Sequence, residues 1–240
     1  MSTVSDAAPA LLERLLAQRH SCRAFLPQPV APATIEQMLA LAQRSASWCN
    51  TQPWQLVLAS GAATDRLRAA LQQAARSGAP ASDIPFPPGY EGEHLARRRA
   101  CGLQLYAALG IAREDRAASQ AEALRNYDFF GAPHVALVLA PRSLGPYALV
   151  DCGVWVGNFL LAAAAHGIAA IPQAAPARHS DAIRAHLDLP DTLAVVCAVA
   201  FGHADRTHPV NGYRTARADL AQVVRRIDGS DNSEDGEGCA

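Results

Sequence analysis

The stretch "RHSCRAF", Arg19–Phe25, sets three basic side chains, a serine and a cysteine directly after "PALLERLLAQ". In that preceding segment, leucines at 11, 12, 15 and 16 form one helical stripe. The chain as a whole is almost neutral, with a formal net charge of −1 over 240 residues. Arg19, His20 and Arg23 are therefore a local concentration of positive charge and not part of a broad cationic surface, which argues against a general nucleic-acid binder. Two readings remain for the cluster: a solvated loop, or a seat for a bound anion.

Working outward, the chain is long enough for one large domain or two small ones, and its apolar half can supply a substantial core. Six cysteines are scattered singly, with no CxxC pair and no zinc-like Cys/His spacing; no metal site is expected. Such cysteines suit a reducing cytosol, and "MSTVSDAAPA" shows no signal-peptide pattern, so a cytoplasmic location is expected. Tyr147–Pro172 is long and apolar but carries Asp151, Asn158 and His166 and breaks at His166-Gly167. A membrane span wants about 20 uninterrupted apolar residues. A buried helix, partly covered by a second subunit, fits better.

Helical periods recur in "ATIEQMLALAQRSA" (Thr34 as candidate N-cap, with Gln37 three residues on), "TDRLRAALQQAAR", "EGEHLARRRACGLQLYAALG" and "SDAIRAHLDL" (Ser180 as cap). "EDRAASQAEALRNYDFF" reads as a shorter helix and a connector, and residues 77–90 as a proline-rich loop. "WQLVLAS", "HVALVLA", "GIAAIP" and "TLAVVCAVAFG" read as strands. Residues 228–240, acidic and small, are expected to be a disordered tail. The fold class expected is α+β, an α-β-α sandwich with a central sheet and flanking helices.

Nucleotide and hydrolase signatures are missing: there is no GxxxxGK[ST], no GxGxxG turn after a strand, no GxSxG and no HExxH. Two other stretches stand out. "SWCNTQPWQ", residues 47–55, joins a helix end to a strand and holds two of the three tryptophans. Its amides can hydrogen-bond the edge of a flat heterocycle, or the stretch is a turn with core tryptophans. "NGYRTARADL", residues 211–220, places Arg214 and Arg217 three apart, on one helix face or flanking a turn.

Taken in order, "RHSCRAF", "NTQPW", "FFGAP" (Phe129–Pro133), "GIAAIPQAA" and "NGYRTAR" resemble the motifs of the nitroreductase family of FMN-dependent NAD(P)H oxidoreductases. The resemblance spans about Leu11 to Ile227 and implies a single FMN-binding domain over residues 1–227, a nitroreductase-like sandwich with a central mixed sheet, and an intertwined homodimer. It places Arg19, His20 and Ser21 on the FMN phosphate and ribityl chain, Arg23 at the flavin N1/O2 edge, and Arg217 with Arg214 as the C-terminal phosphate contact. Ser47, Trp48 and Asn50 match the loop laid against the partner subunit's cofactor. The turn of Pro172, Ala174 and Ala175 matches the one whose N–H groups face flavin N5. Tyr106, Phe129 and Phe130 are the expected substrate-lining residues. Ala46, Trp48 and Cys49 depart from the usual pattern, which bears on substrate range; Cys49 is expected to be buried or inert.

The implied reaction needs no protein nucleophile. NADH or NADPH reduces the flavin and leaves, and a small aromatic oxidant, a nitroaromatic before a quinone, takes the same place. A flavin-binding sensor or storage protein is the non-enzyme alternative.

Overall fold

The computed structural model describes residues 7–227. Its elements run α1 (Ala7–Gln18), α2 (Pro32–Ala42), β1 (Gln55–Ser60), α3 (Ala62–Ser77), α4 (Gly92–Ala108), α5 (Arg116–Leu124), β2 (His134–Pro141), α6 (Gly145–Ala165), β3 (Ala169–Gln173), α7 (Ser180–Leu187), β4 (Leu193–Gly202) and α8 (Leu220–Val223). The strands form one sheet in the order β1-β2-β4-β3. Every ladder is antiparallel. The mixed sheet implied by the resemblance is thus corrected within this chain: parallel pairing is confined to isolated bridges, one of them Ser21 with Ala170 at the free edge of β3.

Strand β2 is buried from His134 to Ala140 because helices cover both faces of the sheet. Ala136, Val138 and Ala140 face α2 and α6, while Val135, Leu137 and Leu139 face α3 and α7. Alternation in β4 breaks where Val138 pairs with Cys197 but Leu139 pairs with Val195. The extra residue, Val196, is a β-bulge, and it puts Val195 on the same face as Ala198 and Ala200. Pro172 fits within β3 because β3 is an edge strand.

Two expected helix caps are corrected. Helix α2 starts with Pro32 in its first turn after Ala31, with no side-chain cap, so Thr34 lies inside the helix. Ser180 opens α7 but does not cap it: its Oγ donates to the Ala177 carbonyl and accepts the Asp83 N–H. That bond helps fasten the loop of residues 77–90, where Asp83 also pairs with Arg142 and Arg184. The tail of residues 228–240 lies outside the described residues.

Helix α6 is apolar all round but covered on one side only. Trp155 and Phe159 are fully buried against the sheet, while Tyr147, Val150 and Val154 are exposed. By length and composition the segment 142–165 could cross a membrane. Helix α1 buries nothing, leaving Leu11, Leu12 and Leu16 about half exposed.

His134, at the start of β2, ties the sheet to the segment before α2. Its Nε2 accepts the Val30 N–H at 2.9 Å, so Nδ1 carries the proton and donates to Ser60 Oγ at 2.7 Å. Burial, with His203 nearby, lowers its pKa from the ordinary 6.5. The unfolded chain therefore binds more protons between the two values. The stability that the neutral ring confers is present above about pH 6.5 and lost as pH falls through the folded-state pKa. Burial shifts His20 and His179 the same way. The melting temperature should fall on acidification below pH 6.5, and His134→Gln should flatten part of that slope. An unchanged slope in the variant would refute the assignment.

Candidate functional site

After α1 ends at Gln18, the chain runs along the free edge of the sheet. The Cys22 N–H donates to the Ala170 carbonyl, and Phe25 bridges Ala204 beyond β4. Cys22 is fully buried, and burial pushes its thiol up to about 11, so it is an inert apolar filler. Arg23 is held at both ends of its peptide. Its N–H donates to Asn211 Oδ1 at 2.8 Å, and its carbonyl accepts from Arg125 Nη2 at 2.9 Å. Arg125 in turn pairs with the buried carboxylate of Glu122. Asn211 Nδ2 donates to the carbonyls of Ala24 and Asp205, so one buried amide joins the segment after α1 to the arm after β4.

This joint brings the two basic stretches together. Arg19, Ser21, Arg23, Arg214 and Arg217 line a cavity of about 290 Å³. An adjoining cavity of about 520 Å³ shares Arg19, His20 and Arg214 and adds the backbone from Gly167 to Ala170. None of these four arginines pairs with a carboxylate among the described residues. Arg214 and Arg217 donate only to neighbouring carbonyls and the Thr215 hydroxyl. Burial and the charge of Arg217 lower the Arg19 pKa. Burial also lowers that of His20, aided by Arg214, Arg19 and Arg23 and opposed by its bond to the Gln18 carbonyl. His20 Nε2 is buried without a partner. Uncompensated guanidinium groups around a cleft fit a phosphate-bearing ligand, because each offers paired donors in a fork and the repulsion among them is relieved by an anion.

The other expected site residues stand apart from this cluster. Trp48 to Asn50 form a 3₁₀ turn in which Cys49 and Asn50 have φ near +51° and +54°. The Trp48 N–H is shared between both oxygens of buried Asp151 at 3.2 Å, Ser47 Oγ accepts the Gln52 N–H, and the Trp48 ring meets Tyr147 edge-on at 5.0 Å. This turn lies on the first half of α6, and Ser47, Trp48 and Asn50 line neither cationic cavity. Cys49 is exposed, which rules out the buried alternative of its expected reading and leaves the inert one. Pro172 and Ala174 are exposed and Ala175 half-buried where β3 leaves the sheet, and none of the three lines these cavities. Tyr106 is half-buried on α4; Cys101, five residues earlier on that helix, lines the smaller cavity instead.

Phe129 and Phe130 are corrected from substrate-lining to core. They are 0% and 3% exposed, packed with Leu67, Leu71 and Ile183 beneath the sheet. Asn211 and Tyr213 are the site residues that the sequence reading missed. Both lie in the quoted "NGYRTAR", where only the arginines drew notice.

Fold and cavity together define a class: an α/β/α sandwich with a cationic cleft along one edge of its sheet. The model of the nitroreductase family matches residues 16–203. The chain is 39% identical over 214 residues to nitroreductase NfnB of Mycolicibacterium smegmatis, covering 89% of this chain and 91% of the relative. It is 31% identical over 225 residues to a 4-nitrobenzoate reductase of Nocardioides sp., covering 91% of each. Among solved structures, the FMN-dependent nitroreductase NfnB from Mycobacterium smegmatis in complex with NADPH matches with a TM-score of 0.88 at 37% identity, over 92% of this chain and 100% of that one. The FMN and NADPH-dependent NfnB from Sphigopyxis sp. strain HMH matches at 0.87 and 33%, over 90% and 98%. The chain belongs to the nitroreductase family.

Asn211→Ala strips partners from one N–H and two carbonyls around a buried site. A buried orphan costs about 1–3 kcal/mol. Urea unfolding should show a loss of at least that size, and a midpoint equal to wild type would remove Asn211 from its role as the joint.

Proposed function

We propose that the protein is an FMN-dependent oxidoreductase that passes electrons from NADPH or NADH to a flat oxidant, a nitroaromatic compound first and a quinone second. The observation that carries this reading is the set of four arginines gathered from two distant stretches around one cavity without a counter-ion. Relatives named for nitrobenzoate and nitrobenzene reduction, and solved neighbours described with FMN and NADPH, support it.

Bound FMN supplies the two-electron carrier chemistry that no side chain here offers. Arg19, Arg214 and Arg217 hold the phosphate, and His20 and Ser21 face the polyol chain. Arg23 places a fixed cation at the ring edge, where negative charge appears on reduction, and so tunes the potential. The backbone at Pro172, Ala174 and Ala175 faces the reactive side of the ring, and Tyr106 borders the substrate space.

The functional unit is a homodimer. The exposed leucines of α1 and the exposed Tyr147, Val150 and Val154 of α6 give it an apolar surface to bury. Ser47, Trp48 and Asn50 then serve the partner subunit's cofactor. All five cysteines among the described residues are free, in keeping with a cytoplasmic location.

The purified chain should be yellow, release FMN on denaturation and consume NAD(P)H when given nitroaromatics. A colourless protein that FMN cannot reconstitute would sink the reading. The arginines separate by role. A charge-assisted hydrogen bond is worth about 1.5–3 kcal/mol, and about 1.4 kcal/mol corresponds to ~30 mV for a two-electron couple. Arg23→Ala should therefore lower the potential of FMN-saturated protein by some tens of millivolts. Arg19→Ala should weaken FMN binding and barely move the potential, since phosphate is charged in both redox states. Equal shifts would mean that the two residues are assigned to the wrong ends of the cofactor. Sedimentation of the loaded enzyme should show a dimer, and a stable, active, flavin-loaded monomer would refute the shared site.

A further inference from the structure

Arg23 has its peptide pinned on both sides, by Asn211 and Arg125, but among the described residues its guanidinium has no carboxylate partner. Two acceptors hold it. Nη1 donates to the Ser21 carbonyl at 3.3 Å, a long bond, and to Tyr213 Oη at 3.0 Å. The Tyr213 ring is half-buried in the wall of the smaller cavity, two residues beyond the Arg23 clamp residue Asn211 along the same arm. Among the described residues, the phenol is thus the only side chain to which the Arg23 head group is hydrogen-bonded.

The choice of a phenol matters electrically. An aspartate or glutamate at this place would pair with Arg23 and cancel the charge that the cavity presents. A neutral oxygen accepts the N–H and leaves the charge whole. Burial, together with Cys101 and Glu122, raises the Tyr213 pKa against the pull of Arg23, so the hydroxyl stays protonated.

Resting on the reading above, we propose that Tyr213 is a positioning residue for the flavin reaction: as a neutral acceptor it fixes the Arg23 guanidinium at the ring edge and leaves its full charge for the reduced cofactor. Tyr213 acts through Arg23 and does not itself touch the ring.

Tyr213→Phe removes one oxygen and keeps the ring. FMN loading of the wild-type chain is measured first, and its failure overturns the parent reading. In the loaded Phe variant, affinity for oxidised FMN should change less than about threefold, because the phosphate grip is intact. The preference for reduced over oxidised FMN should fall roughly tenfold, a drop of about 30 mV in the two-electron potential. In an Arg23→Ala background the same substitution should shift nothing further. An unmoved potential in FMN-loaded Tyr213→Phe overturns the proposal, and so does a shift of equal size without Arg23, which would put the phenol on the cofactor. Should the Phe variant not hold FMN, Tyr213→Gln supplies a different neutral acceptor. Its potential should stay close to wild type, and a fall of about 30 mV there would equally overturn the assignment.

Discussion

The site depends on one amide. Asn211 offers its Oδ1 to the Arg23 N–H and its Nδ2 to the carbonyls of Ala24 and Asp205, joining segments 188 residues apart in sequence. Without that joint, Arg19 and Arg23 would sit at the end of one helix and Arg214 and Arg217 on a separate arm. Gathering four guanidinium groups around one cleft opposes folding, since like charges repel and each loses water. The cost is met by the sheet and its two helical layers, which do not depend on the cleft, and by a ligand that supplies the missing negative charge. Binding to the folded state alone also stabilises it by mass action. The site is a place where the apo fold is held in a less favourable state than its core requires.

Support around Arg23 has the same logic carried one layer outward. Glu122 is buried, yet it pairs with Arg125 and not with the arginines that line the cleft. Arg125 then uses its second nitrogen on the Arg23 carbonyl. The carboxylate thus stiffens the backbone under the cluster while its charge is spent on Arg125. Tyr213 does the corresponding work for the side chain with an uncharged oxygen.

What was legible in the sequence follows from the range of the forces involved. The continuous apolar runs of β2 and β4 and the period of α3 and α7 are local patterns, and they appear where expected. The bulge at Val196 leaves no mark in a run of small and β-branched residues, because every register of such a run is equally apolar. Thr34 and Ser180 looked like caps by spacing, but Pro32 starts α2 earlier and the Ser180 hydroxyl is drawn to Ala177 and Asp83. Phe129 and Phe130 are expected by resemblance to line the substrate space; their backbone, at φ +51° and +54°, goes with side chains buried in the core, which composition cannot reveal. Asn211 and Tyr213 were missed because a side chain that bonds across the whole length of a chain has no sequence period.

Helix α6 explains why the remaining expected residues stand apart. Its first half holds the Trp48 turn through Asp151, while Leu160 and Ala164 near its end line the larger cationic cavity. From 151 to 164 a helix rises about 20 Å. One rigid element therefore keeps the turn away from the cleft of its own chain, and no side chain of the turn can span that distance. The turn is nevertheless held firmly, with Cys49, Asn50 and, just beyond it, Gln52 at positive φ and the buried Asp151 carboxylate accepting the Trp48 N–H. Strain of that kind persists only where the surroundings over-determine it, and it tends to mark functional segments. Antiparallel pairing of two copies of α6 about a two-fold axis would reverse the offset: each turn would be carried toward the other chain's cleft, and the exposed Tyr147, Val150 and Val154 would be covered by the same motion. In the proposed dimer, the strained turn and the uncovered helix face would have one cause, a site completed by a second copy of the chain.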